Sequence, residues 1–154
     1  MKRGLYAASF DPYTFGHHHV VKTSAQLFDE VIVAVGVNPN KTRRFSKEKM
    51  IKAMQKLYER EGLTNVKVVI YTDLTVDVAT QHGAEYFIRG IRNGMDYAYE
   101  ENIASTNMEL SGIDTIFVRA GNLGNVSSSM VVELMHHGRD VSKYVPYEIL
   151  EVIS

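Results

Sequence analysis

The chain has 154 residues, 45% of them apolar, with 17 basic and 18 acidic side chains, a net charge of −1 and no cysteine. That is enough apolar material for one folded domain over 1–154, and it excludes a disordered chain. Balanced charge argues against sequence-independent nucleic-acid binding, and the lack of cysteine against a disulfide framework or a thiolate metal site. No apolar run nears the ~20 residues of a membrane span, and the N-terminus has no signal-peptide core, so a cytoplasmic protein with no membrane partner is expected.

A short apolar run makes Lys2 to Ala8 the first strand. Ser9-Phe10-Asp11-Pro12-Tyr13-Thr14-Phe15-Gly16-His17 follows as a turn. Apolar residues at helical spacing then run from Gly16 to Phe28. Val31 to Val37 is a continuous β-branched run, the pattern of a strand buried on both faces. Asn38-Pro39-Asn40 breaks the chain, and Lys41-Thr42-Arg43-Arg44 lies in the loop. Ser46 is the expected N-cap of a helix that carries Met50, Ile51, Met54, Leu57 and Tyr58 and stops at Gly62. Val66 to Tyr71 is the third strand, and a short helix ends at Gly83. Tyr86 to Ile88 is the fourth strand, with Arg89 to Gly94 placed at its end. A helix from about Asp96 to Leu110 and a strand from Thr115 to Val118 come next. Gly121 to Asn125 has the composition of a mobile loop, and Ser127-Ser128-Ser129 opens a helix that stops at Gly138. A last helix starts near Pro146. Strands and helices alternate throughout. This predicts an α/β fold: a single-domain, Rossmann-like, doubly wound sheet of five parallel strands with helices on both faces.

Four polar clusters each follow a strand: Ser9 to His17, Lys41, Arg89 with Arg92, and Ser127 to Ser129. Parallel strands bring all four to one edge of the sheet. An imidazole, an ammonium, two guanidiniums and a serine-rich helix start together suit a polyphosphate. His17-His18-His19 is not read as a metal site, because adjacent helical side chains point about 100° apart and cannot converge on one ion. His18 and His19 are assigned to the helix surface or an interface, and Arg43-Arg44 to a solvated loop pair. Ser127 to Ser129 also reads as a plain N-cap cluster, and His136-His137 as charge at a helix C-terminus.

Thr14-x-Gly16-His17 matches the T/HxGH motif of the nucleotidylyltransferases. With Asn-Pro-Asn-Lys41, Ile-Arg89-Gly-Ile-Arg92, Asp96-Tyr-Ala-Tyr-Glu100, Asn107 and Val-Ser-Ser-Ser129, nearly the whole chain resembles the phosphopantetheine adenylyltransferases. That resemblance implies adenylyl transfer from ATP to 4′-phosphopantetheine, with Mg²⁺, by a cytoplasmic homohexamer. By resemblance Ser9 and Phe10 contact ATP through the backbone, and Ser9 also faces the acceptor phosphate. His17 contacts the α-phosphate; Lys41 and Arg89 hold the acceptor phosphate. Leu74, Thr75 and Asn107 line its arm. Gly90, Ile91, Arg92 and Glu100, with Leu123, Gly124, Asn125, Val126, Ser127, Ser128 and Ser129, hold the nucleotide. His17, Lys41 and Arg92 are the catalytic set. The sequence departs from the family at Ala8, where a glycine is frequent, and at Asn125, where an aromatic residue is frequent. Two alternatives stay open: the same chemistry on nicotinamide or nicotinate mononucleotide, and a diverged non-catalytic nucleotide-binding domain.

Overall fold

The computed structural model describes residues 1–154. Five parallel strands form one sheet in the order β3-β2-β1-β4-β5. They are β1 (Arg3–Ala8), β2 (Glu30–Gly36), β3 (Val66–Tyr71), β4 (Tyr86–Ile91) and β5 (Asp114–Arg119). The helices are α1 (Phe15–Leu27), α2 (Lys47–Arg60), α3 (Thr75–Gln81), α4 (Gly94–Ser111), α5 (Ser128–His136) and α6 (Tyr147–Ile153). Strand order reverses at β1, which pairs with β2 on one side and β4 on the other. In open α/β sheets the crevice outside such a reversal is where ligands bind.

The β2 run is buried from Val31 to Val35 because both faces are covered. Val31, Val33 and Val35 belong to the larger core, with Val20 and Val21 of α1, Met50, Met54 and Leu57 of α2, Val131 of α5 and Ile149 of α6. Ile32 and Ala34 point the other way, into a smaller core with Leu5, Ala7, Phe87 and Val78-Ala79 of α3. On this second side α4 buries only Glu100 and Ala104, leaving Met95, Tyr97, Tyr99, Met108 and Leu110 exposed.

Two sequence expectations, at Arg89 and Pro146, are corrected, and the 121–125 loop gains a turn. β4 continues to Ile91, so Arg89, Gly90 and Ile91 are strand residues, with Arg89 opposite Phe117. The apolar pattern ends at Ile88, but backbone pairing with β5 does not. Gly121 to Leu123 forms a 3-10 turn, closed by Leu123 N–H on the Ala120 carbonyl (3.1 Å) and followed by Val126 N–H on the Leu123 carbonyl (3.0 Å). Pro146 caps α6 in extended geometry (φ −58°, ψ 153°), and the helix starts at Tyr147.

β1 and β4 approach closely at Gly4, where an added Cβ would lie 2.6 Å from Ile88 Cδ1 and 3.1 Å from Phe28 Cε2. Gly4→Ala is therefore expected to destabilise by about 1–3 kcal/mol through overpacking. A thermal melt checks it; an unchanged midpoint means the core yields there.

Candidate active site

The turn after β1 ends in a capping box. Thr14 is the N-cap of α1; its hydroxyl accepts the His17 N–H (3.4 Å), and its own N–H donates to His17 Nδ1 (3.0 Å). Histidine takes the place that Glu or Gln usually holds three residues into a helix. Because Nδ1 accepts, the ring proton is assigned to Nε2, the nitrogen left for a ligand. Gly16 lets the neighbouring loop close over this start: a Cβ there would be 3.0 Å from the Val126 carbonyl oxygen. The motif is thus a helix start that fixes an imidazole in one tautomer.

His18 is a correction. It is buried, not a surface residue. Tyr58 donates to the Tyr13 hydroxyl (3.1 Å), Tyr13 to His18 Nδ1 (2.9 Å), and His18 Nε2–H to Glu61 (2.7 Å). Every polar atom in this run has a partner, and the Tyr13 ring stacks on His17 at 28° and 5.6 Å between centroids. The run is invisible in sequence because Tyr13, Tyr58 and Glu61 carry no motif.

His17, with Thr14 and Gly16, lines a cavity of about 210 Å³ over the ends of β1 and β4. Arg89, Gly90, Arg92 and Glu100 line another wall, and Leu123, Val126, Ser127 and Ser128 a third. Tyr6, Val20, Asp96 and Ala120 also line it, and sequence reasoning gave them no role. Arg89 donates to both Glu100 carboxylate oxygens (2.7 and 2.8 Å) and to the Ala7 carbonyl. Glu100, expected at the nucleotide, lines this cavity and also holds Arg89. A guanidinium has five N–H groups, so two stay available to a ligand. Arg92 pairs with Asp96 at 2.9 Å, a contact between residues four apart at the start of α4 whose spacing could have been read from sequence. Ser127 caps α5 by accepting the Met130 N–H (3.1 Å), and Ser128 donates to the Pro12 carbonyl (2.6 Å). Two of the three serine hydroxyls are therefore committed to the fold.

A second space of about 980 Å³ opens beside the first. Ser9, Lys41, Thr75, Asn107 and Ser129 line it. Ile103, absent from the sequence reading, lines it too. Ala8, Arg89 and Ser128 line both spaces, so they form the shared wall. Leu74 lines neither, its side chain lying exposed at the start of α3. Ile91, Gly124 and Asn125 also line neither; Asn125 is exposed. Phe10 is available to a ligand only through its backbone, since its ring is buried edge-on against Tyr6 and His17.

Arg43 is the other correction. It is not a solvated loop charge, whereas Arg44 is exposed. Arg43 donates to the Ser9 carbonyl (2.6 Å) and the Phe10 carbonyl (3.3 Å) and lies 3.6 Å from the Asp11 carboxylate. Arg44 donates to the Asp11 carbonyl (3.1 Å).

Burial, then the charges of Arg89 and Arg92, push His17 down from 6.5 to about 3. Burial also lowers His18, opposed in part by Glu61. Both rings are neutral at pH 7 in the folded chain, whereas in the unfolded chain they take up protons below about 6.5. Stability is thus full above pH 6.5 and is lost as pH falls toward the folded-state value, near 3 for His17. The melting temperature is expected to drop between about pH 6.5 and 5, above the main carboxylate range, with a shallower drop in His17→Asn. A flat profile over that interval contradicts the assignment.

Residues 5–134 match the model of the cytidylyltransferase-like family. The chain belongs to that family. Within it, the chain is 40% identical to a phosphopantetheine adenylyltransferase of Bacteroides fragilis, over 95% of this chain and 97% of that one. It is 42% identical to that of Lachnoclostridium phytofermentans, over 99% and 94%. Solved structures of nucleotidyl-handling proteins share the fold. TmcAL of Thermotoga maritima, bound with alpha-thio ATP, superposes with a TM-score of 0.75 over 99% of this chain and 55% of that one, at 13% identity. A bifunctional NMN adenylyltransferase/ADP ribose pyrophosphatase of Francisella tularensis does so at 0.68, over 99% and 52%, at 14% identity. The Rossmann-like sheet and the family expected from the T/HxGH motif both hold. So does the enzyme class: the chain is a nucleotidyltransferase of the phosphopantetheine adenylyltransferase type.

Proposed function

We propose that this chain moves AMP from ATP to 4′-phosphopantetheine, forming dephospho-coenzyme A and pyrophosphate. The observation that carries this is the shared wall. A compact cavity with His17 and Arg92 meets a larger one with Lys41 and Ser9 across Ala8, Arg89 and Ser128. ATP takes the first, with its α-phosphate at His17 and its β- and γ-phosphates at Arg92 and the α5 N-terminus. The acceptor takes the second, with its phosphate between Lys41, Ser9 and Arg89 and its arm past Thr75 and Asn107. An acceptor phosphate oxygen attacks the α-phosphorus, and the bond to the α–β bridging oxygen breaks; its electron pair leaves with pyrophosphate. A phosphate monoester has a second pKa of ~6 and is largely dianionic at neutral pH, so no general base is needed. Catalysis is alignment of two anions plus donation to the charge that builds on the α-phosphoryl oxygens. His17 Nε2–H supplies that donation without changing its own protonation state.

Mg²⁺ is proposed to arrive with the triphosphate. No group of three or more His, Cys, Asp or Glu side chains is placed to cage an ion, and Asp96 and Glu100 are spent on arginines. A hard cation held by phosphate oxygens and water fits that environment and would neutralise leaving-group charge. A homohexamer in the cytoplasm, the compartment that holds ATP, is proposed as well. The exposed apolar side chains of α4 support assembly, and light scattering in solution tests its size. The reaction is tested by pyrophosphate release on mixing ATP with 4′-phosphopantetheine. Release with that acceptor and none with unphosphorylated pantetheine is the expected result; release with neither contradicts it.

A further inference from the structure

Six polar links tie the motif turn after β1 to the loop after β2. The Asp11 carboxylate accepts the Arg44 N–H (2.7 Å) and the Phe45 N–H (2.9 Å) and faces the Arg43 guanidinium. Arg43 and Arg44 in turn donate to the carbonyls of Ser9, Phe10 and Asp11. Arg43 also donates to the Phe45 carbonyl (3.2 Å), which closes its own loop. Its side chain is only 13% exposed. Phe10 sits at φ 50°, a conformation that a non-glycine residue keeps only where its surroundings impose it. A guanidinium with several donors in a rigid fork can span two carbonyls and a carboxylate at once; a lysine ammonium is a single point. One joined loop carries Lys41, two residues before Arg43, and the other carries Ser9 and leads to His17.

We propose that Arg43, seated on the Ser9 and Phe10 carbonyls and the Asp11 carboxylate, is a positioning residue that holds the Lys41 loop in register with the His17 turn. The clasp sets the separation between the acceptor phosphate and the α-phosphorus. This deepens the adenylyl-transfer reading and rests on it. Each loop can still hold its own ligand when the clasp is cut, but the two anions no longer meet in line. Misplacement of reacting groups by about 1 Å costs on the order of 10² in rate, so a loss of turnover without a matching loss of affinity is the signature.

Turnover with ATP and 4′-phosphopantetheine, calorimetric binding of each ligand alone, and amide hydrogen exchange are measured for Arg43→Ala, Arg43→Lys and Lys41→Ala with and without Arg43→Ala. In Arg43→Ala, kcat is expected to fall about 10–100-fold, with each ligand's affinity within about threefold. Arg43→Lys keeps the charge but loses the fork, and is expected to stay within about threefold of Arg43→Ala. In the Lys41→Ala background the same change is expected to cost less than about threefold more, because the alignment it protects is already lost. The amides of Ser9, Phe10 and Asp11, which carry no substitution, are expected to exchange faster in Arg43→Ala. Parent-like turnover in Arg43→Lys overturns the proposal, as do losses that multiply, or an acceptor-affinity loss as large as the turnover loss. Should Arg43→Ala not fold, Arg43→Lys decides by the same criteria. A parent protein with no turnover indicts the reaction instead. The exchange of the Ser9, Phe10 and Asp11 amides then decides the clasp, and unchanged protection there overturns it.

Discussion

Replacing His17 by alanine is expected to lower kcat by about 10²–10³-fold while ATP affinity stays within about tenfold. The imidazole is held by the Thr14 N–H on Nδ1, so Nε2–H alone can reach a ligand. A donor fixed before the reaction spends nothing on reorganisation when charge builds on the α-phosphoryl oxygens. Its low affinity for a proton, about 3, keeps it neutral across the working range, so turnover carries no ionisation of this ring near neutrality. His17→Asn keeps an N–H donor on a shorter side chain and is expected to recover only part of the loss. Pre-steady-state kinetics with separate ATP binding checks both. Equal losses of binding and turnover would mean that His17 serves the ground state instead.

Glu100→Ala carries the second large expectation. Its carboxylate takes two hydrogen bonds from Arg89, and its side chain is 10% exposed against 31% for the arginine. Removing one member of a buried pair leaves the other charge without compensation, at about 3–5 kcal/mol. Arg89 keeps a third of its surface, so about 2–3 kcal/mol is expected after discounting for solvent. For a chain of this length that is roughly 4–12 °C in melting temperature. Turnover with a phosphorylated acceptor falls as well, because Arg89 loses the seat that presents its remaining N–H groups. A melting temperature equal to the parent's would show that Ala7 alone holds Arg89.

The sheet was legible because its strands announce themselves. The Val31 to Val37 run could only be a strand covered on both faces, and Pro12, Pro39 and Pro146 each fell at a junction. The edge that carries the four polar clusters was legible for a related reason: in a parallel sheet the residues after each strand share one edge whatever lies between them. What stayed hidden depends on contacts distant in sequence. Arg43 reads as a loop charge until Asp11, 32 residues earlier in the chain, is placed against it. His18 reads as a surface histidine until Glu61 and Tyr58 close around it. Arg89 reads as a loop residue because polarity ends the apolar pattern one position before it, although backbone pairing continues. Glu100 reads as a nucleotide contact until Arg89, 11 residues earlier in the chain, is placed against its carboxylate. Within the loop expected over 121–125, the 3-10 turn stayed hidden because it needs only backbone bonds to close.

Adenylyl transfer to 4′-phosphopantetheine is tested most directly by acceptor competition. The protein is given ATP and an equimolar mixture of 4′-phosphopantetheine, pantetheine, nicotinamide mononucleotide and nicotinate mononucleotide, and the adenylylated products are resolved by mass. Dephospho-coenzyme A as the dominant product, formed in step with pyrophosphate and lost in Lys41→Ala, is the predicted result. A dinucleotide as the dominant product, or ATP left intact beside all four acceptors, would contradict it.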